Sequence, residues 1–333
     1  MDAELGDPSF GLYSPGERRI EREFRLPDWS GKGYRESVDY QCSAVVHWEE
    51  ELLILPRRAA LYGVSLRDGS VNLLHREDGR DDCWISGTGT ISPDRRYCAF
   101  PLFHPPHATP SRVEMLIFSL PDFRLVRRHD FGGFLANHFQ FTYDPEYIMY
   151  AHEGPTRRIP DRINRIHWLS GRCECLHEHL FDLESGEMLE CIGHEMAAPG
   201  ADMICAVRYP DSRIRAAILL LDCDGRNCRE LDCDDYWHVS CDPSGTVFAA
   251  DTMWWSHARR REENRTDIIR IDAAAGTKEI VKTIRTFEKG QHRHPHPQLD
   301  STGNRLLFME NSPESDEFAS VTLLEPDGKV QMQ

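Results

Sequence analysis

The sequence predicts an all-β protein, a β-propeller in which seven blades are favoured over six. Three observations carry this expectation. Short apolar strands bounded by Pro, Asp and Gly run from residue 42 onward, while long amphipathic helical windows are almost absent. The turns that lead into strands recur about every 44 to 58 residues, the period of propeller blades. A histidine stands at nearly the same distance before several of those turns, as expected when each repeat sends one side chain to a shared mouth.

Residues 1–40 are rich in Gly, Pro and charge and are expected to form an N-terminal extended segment that helps close the propeller; residues 41–333 are expected to form one propeller domain. The first repeat begins near 44–55. Five further repeats open on the turns Ser92-Pro93-Asp94, Asp144-Pro145-Glu146, Pro199-Gly200-Ala201-Asp202, Asp242-Pro243-Ser244-Gly245 and Asp300-Ser301-Thr302-Gly303. Pro and Gly pre-set turn dihedrals, and Asp side chains bond to nearby backbone amides. The strands expected after these turns are 97–100, 147–151, 203–207, 247–250 and 305–309, with partners at 115–120, 216–222, 266–272 and 321–325. Six repeats result, and the N-terminal segment is expected to supply or complete the seventh. Two β-sandwich domains are the alternative with the same strand content.

At 333 residues, with 40% hydrophobic and 28% charged residues, the chain can bury a large core. Lys and Arg number 39 against 55 Asp and Glu, a formal charge of −16, which argues against a nucleic-acid partner. It leaves room for a small anionic ligand in a locally basic pocket. No apolar stretch is long enough to span a membrane. The acidic start Met1-Asp2-Ala3-Glu4 is unlike a secretory signal, and 11 cysteines without one predict reduced thiols and a cytoplasmic location. Cys173, Cys175, Cys223, Cys228 and Cys233 lack the paired spacing of a structural zinc site.

Chemistry concentrates in Gln291-His292-Arg293-His294-Pro295-His296-Pro297. In an extended strand His294 and His296 would point to the same side, and Gln291 can bring an amide oxygen to the same place. A polar surface loop is the plain alternative; a metal site is the sharper reading. His194 lies five residues before Pro199, His238 five before Pro243, His296 five before Ser301 and His138 seven before Pro145. Each alone reads as an inner-strand histidine; together they suggest one site. A second dense stretch, 152–168, carries His152, Arg157, Arg158 and Arg162 between two strands. Arg157 and Arg158 fit a solvated face, whereas Arg162, where the chain re-enters a strand, is placed to offer a guanidinium to a carboxylate.

In this order the motifs resemble those of the oligogalacturonate lyases, cytoplasmic seven-bladed propellers that cleave short pectin fragments. The matching stretches are His152-Glu153-Gly154-Pro155 with Asp161-Arg162, Gly193-His194-Glu195, His238-Val239-Ser240 with Asp242, and Gln291-x-x-His294-Pro295-His296-Pro297. They span about 138–310, and the last is the most specific. The resemblance implies a divalent metal, Mn2+, held by His238, Gln291, His294 and His296. It also implies a base at His194 and an assisting arginine at Arg162. His138, His152 and Arg158 are the candidates for substrate contact. The first-blade motif of the family has no counterpart around 38–50, where Tyr40-Gln41-Cys42 stands.

The chemistry is coherent. β-Elimination from a 4-linked uronate removes the proton on C5, beside a carboxylate that leaves it only weakly acidic; a divalent cation on that carboxylate withdraws charge. A neutral imidazole, with a reference pKa of about 6.5, is a suitable base. The expected partner is a small acidic oligosaccharide. A hydrolase would call for paired carboxylates and a peptidase for a Gly-x-Ser-x-Gly turn, and neither is evident. A lyase for another uronate and a non-catalytic binding platform are the remaining alternatives.

Overall fold

The computed structural model describes residues 9–14, 17, 19–25, 45–79, 82–85, 89–105, 112–253, 265–285, 294–311, 319–324 and 330–332. Among these, every regular element is a strand. The chain divides into two compact units, Met1–Gln140 and Phe141–Gln333, where the sequence suggested a short extended segment followed by one domain from residue 41.

In the first unit, β1 (Ser9–Ser14) and β2 (Arg19–Arg25) form a two-stranded ribbon. A four-stranded meander follows from β3 (Val45–His47), β4 (Leu52–Arg57), β5 (Ala60–Ser65) and β6 (Val71–Arg76). The next sheet joins β7 (Trp84–Ile85), β8 (Thr90–Ile91), β9 (Tyr97–Phe103), β10 (Val113–Ser119) and β11 (Leu125–Asp130), with β7 and β8 both on β9. The division between units falls within β12 (Ala136–Phe141), which opens the sheet continued by β13 (Tyr147–His152), β14 (Ile163–His167) and β15 (Arg172–His177).

The second unit goes on with three more meanders. They are β16 (Ile192–Ala197), β17 (Ile204–Arg208), β18 (Ala217–Leu221) and β19 (Cys228–Asp232); β20 (Tyr236–Cys241), β21 (Val247–Thr252), β22 (Arg265–Asp272) and β23 (Thr277–Arg285); and β24 (Gln298–Leu299), β25 (Leu306–Asn311), β26 (Ala319–Leu324) and β27 (Val330–Met332). The described residues thus hold six sheets of four or five strands besides the ribbon. Much of the N-terminal segment expected to complete a seventh blade lies outside them.

The meanders over 192–232 and 236–285 run from a buried side to a charged edge, as their sequence requires. β17 and β18, Ile-Cys-Ala-Val-Arg and Ala-Ile-Leu-Leu-Leu, are buried along their whole length. β19, Cys-Arg-Glu-Leu-Asp, is mostly exposed. An outer strand built from charge cannot pair edge to edge with another chain, which protects the sheet. Between the 192–232 and 236–285 sheets, Val207, Ile218 and Cys205 pack with Tyr236, Phe248 and Ile269 in one core. Burying a side chain of this size contributes about 1.5–3 kcal/mol relative to leaving it exposed.

The turns form as their residues require. The Asp242 carboxylate accepts the amides of Ser244, Thr246 and Val247. Asp300 likewise accepts those of Thr302, Asn304 and Arg305. Gly245 (φ 68°) and Gly303 (φ 70°) take the left-handed residue that each turn needs. The strands expected after these turns begin within a residue of the places foreseen.

Candidate metal centre

The first strands of the second unit's sheets are not regular, and the irregularity falls on the histidines. Between Gly193↔Val207 and Met196↔Cys205 the β16–β17 register shifts by one residue, so His194 and Glu195 together face Ala206. Between Tyr236↔Thr252 and Val239↔Ala250 the β20–β21 register shifts in the same way, so Trp237 and His238 face Asp251. These are β-bulges, which bend a strand and re-aim a side chain. His194 has φ 51°. Holding a non-glycine residue there costs about 1–3 kcal/mol unless the surroundings enforce it.

His296 shows the same device by another route. The reading of 294–296 as an extended strand with alternating side chains is corrected: β24 begins only at Gln298, residues 295–297 lie outside any strand, and His296 has φ 43°. The Met309 amide donates to the Pro295 carbonyl at 2.8 Å, while Gln298 pairs with Leu307, so one extra residue is accommodated between. Pro295 and Pro297 have no amide to add to a ladder, which favours this irregular entry.

The outcome is a three-histidine cluster. Among the described residues His238, His294 and His296 form the one group whose ligand atoms, one from each, all lie within 4.8 Å of one another. The His238 and His296 rings are 3.9 Å apart between centroids, and Trp237 covers His294 at 3.8 Å. His238 and His294 are buried.

Asp251 organises the cluster. It is fully buried and takes the His238 Nδ1 at 2.7 Å and the His238 backbone amide at 2.8 Å. Burial pushes its carboxyl up to about 7, against the pull of the His238 amide, the His296 ring and the His296 amide. With Nδ1–H turned to Asp251, Nε2 of His238 carries the lone pair. It is buried and accepts no hydrogen bond among the described residues. Burial, then His296 and His294, hold the His238 pKa well below its usual value, so the ring stays neutral. A neutral imidazole with a carboxylate behind it and a buried lone pair in front is the arrangement found on metal-binding histidines. The residues present therefore fit a divalent cation that accepts imidazole nitrogen.

His194 lies against the cluster, its ring 4.1 Å from that of His238 and 6.2 Å from that of His296. Tyr209 packs edge-on against it at 5.7 Å. Arg162 is buried between two carboxylates, Glu153 (3.0 Å) and Glu195 (3.2 Å). Burial alone would lower its pKa; Glu195 and Glu153 reverse this and raise it, so the charge is permanent. His152 Nδ1 meets Asp161 at 2.7 Å, and Arg158 is exposed. His138, with φ 54°, is half-buried on β12 in the first unit. Gln291 lies outside the described residues.

The sequence reading gave Asp251, Tyr209, Glu153 and Glu195 no part in the site. Asp251 had one signal, a carboxylate ending the apolar run 247–250. Glu153 and Glu195 stood inside the singled-out motifs, but their meeting through Arg162 depends on contacts 33 and 9 residues apart in the chain.

No protein-family model matches the chain, and no curated protein sequence does. Among solved structures it is similar to an oligogalacturonate lyase in complex with manganese, at 15% identity and a TM-score of 0.68, over 84% of this chain and 75% of that one. An oligogalacturonate lyase from Vibrio parahaemolyticus gives 13% identity and a TM-score of 0.67, over 84% and 76%. TolB from Acinetobacter baumannii follows at 10% and 0.53, over 99% and 77%. The chain is an all-β propeller protein whose fold resembles that of the oligogalacturonate lyases.

Proposed function

We propose that the chain is a metal-dependent lyase that cleaves short oligogalacturonides by β-elimination. The observation that carries this reading is the convergence of His238, His294 and His296, with Asp251 behind His238 and His194 against its ring. The resemblance in motifs and the manganese named with one neighbouring lyase support Mn2+ as the ion. His238, His294 and His296 would hold it, with Gln291 as the fourth ligand that the motif implies. When bound, a divalent cation supplies positive charge against the substrate carboxylate beside C5.

The chain's own residues do the rest. Asp251 fixes the His238 tautomer, so that its Nε2 lone pair is presented without a competing proton. Trp237 stacks on His238 and covers His294, which limits ring motion and shields both from water. His194 accepts the C5 proton, and a neutral imidazole is competent for this around neutral pH. His152, His138 and Arg158 are the candidates for contact with the sugar units.

The test is to incubate purified protein with digalacturonate and record the ultraviolet absorbance of the conjugated double bond, with metal content measured in parallel. Absorbance that rises with added Mn2+ and falls with a chelator supports the reading. Turnover only of another uronate in a small panel changes the substrate. No elimination of any uronate with metal bound removes it.

A further inference from the structure

Arg162 enters the lyase reading as a charge that assists on the substrate, but its hydrogen bonding leaves nothing for a substrate to use. A guanidinium has five N–H groups. Nε donates to Glu195 Oε2 at 3.3 Å, and Nη2 donates to Glu195 Oε1 and Glu153 Oε1, both at 3.2 Å. Nη1 donates to Glu153 Oε2 at 3.0 Å and to the His152 carbonyl at 3.3 Å. All five are taken. The Arg162 side chain is 6% exposed and that of Glu195 is fully buried. To grip a substrate carboxylate, Arg162 would have to release a carboxylate buried with it, and an uncompensated buried charge is strongly unfavourable.

We infer that Arg162 is a positioning residue that acts through Glu195 on the backbone carrying His194. His194 and Glu195 are the two residues of the β16 bulge. The left-handed φ of 51° at His194 persists only if its neighbours over-determine it. Two hydrogen bonds from Arg162 fix Glu195, and with it the orientation of the peptide that joins it to His194. On the other side Tyr209 presses its phenol oxygen over Gly193, where a Cβ would lie only 2.3 Å away. A side chain at position 193 would have to displace Tyr209, whose ring meets that of His194 in a T-shaped contact. His194 is held between Gly193–Tyr209 before it and Glu195–Arg162 after it. The anionic groups of a substrate are left to other residues.

The kinetic part of the test rests on the lyase reading, and a second part does not. Arg162→Gln, Glu195→Gln and the double variant are compared in steady-state elimination and in hydrogen exchange of the peptide covering 192–197. Each single change is expected to lower kcat about 10²-fold, the scale of a misplaced catalytic group, while KM stays within about threefold. The double variant should be no worse than the poorer single one, because both break one contact. Exchange over 192–197 should rise in all three while that over 236–241 stays as in the parent protein. A KM raised tenfold or more with kcat retained in Arg162→Gln, and near-parental kinetics in Glu195→Gln, would overturn the inference in favour of a substrate clamp. If Arg162→Gln fails to fold, the triple variant Arg162→Met, Glu153→Gln, Glu195→Gln removes the unpaired charges and is read in the same way. Should the parent protein eliminate no uronate, the lyase reading fails and exchange decides alone: unchanged protection over 192–197 would overturn the positioning role.

Discussion

His238 and His194 both lie in the two-residue bulge of a first strand in consecutive sheets, His194 as the first bulged residue and His238 as the second, and each bulge is faced by one residue of the second strand. Across from His238 that residue is Asp251; across from His194 it is Ala206. In the proposed reading, a carboxylate facing one bulge and a methyl group facing the next help to separate the roles of the two imidazoles. The Asp251 carboxylate accepts a hydrogen bond from Nδ1–H of His238, which leaves Nε2 as a buried, neutral electron-pair donor. At the corresponding place Ala206, fully buried, offers no acceptor, and His194 lies instead edge-on to Tyr209. On that reading, the facing residue of the second strand distinguishes the proposed ligand from the proposed base.

A third histidine shows that a carboxylate neighbour alone does not make a ligand. His177 Nε2 meets Glu190 at 2.9 Å, as His238 meets Asp251. Burial lowers the His177 pKa, but Cys228 and Glu190 outweigh it and bring it up to about 9. Glu190 is held down at about 2 despite its own burial, by His177, the Leu180 amide and Arg208. The pair at His177 is a charged ion pair. At His238 the deeper burial and two adjoining imidazoles keep the ring neutral.

The sharpest way to break the contrast between His194 and His238 is His194→Ala. Turnover should fall about 10²–10⁴-fold, the usual contribution of a general base, with metal content unchanged by elemental analysis. Loss of the metal would instead place His194 among the ligands and erase the distinction. Next in size is Asp251→Asn, which keeps the shape but weakens the acceptor behind His238. Metal affinity by calorimetry should drop about 10–100-fold, and an unchanged affinity would mean that Asp251 serves only the fold.

The contrast with His177 is tested by pH. Its folded pKa of about 9 lies above the ordinary value. The stability it adds is therefore fully present below about pH 6.5 and is lost as pH rises through about 9. Melting temperatures taken from pH 6 to pH 10 should fall less steeply for His177→Gln than for the parent; parallel curves would show that the pair adds nothing. The smallest effect is expected at exposed Arg158. Arg158→Ala should change KM by no more than about fivefold, the scale of a solvent-screened charge, and high salt should remove the difference. A larger, salt-resistant loss would make Arg158 a direct substrate contact.

What the sequence determined by itself was local in origin. The Asp-anchored turns at 242–245 and 300–303 satisfy their own amides within five residues, so they could be read from short motifs. The strands followed from apolar runs bounded by turn residues, His238 and His296 from their recurring distance to the next turn, and His294 from its place in the Gln291–Pro297 stretch. The tertiary structure decided everything that depends on pairing across strands. Asp251 reached the cluster because the β20 bulge set it opposite His238, and Ala206 met His194 by the same one-residue shift. His296 turned toward His238 through a left-handed backbone and not by strand alternation. Arg162, which in sequence looks like a free guanidinium, had every donor taken, by Glu195 on β16 and by Glu153 and the His152 carbonyl at the end of β13. A motif can specify which groups are present, but strand register decides which lone pair or proton each one has left to use, because hydrogen bonds between strands form only once the chain has been brought together.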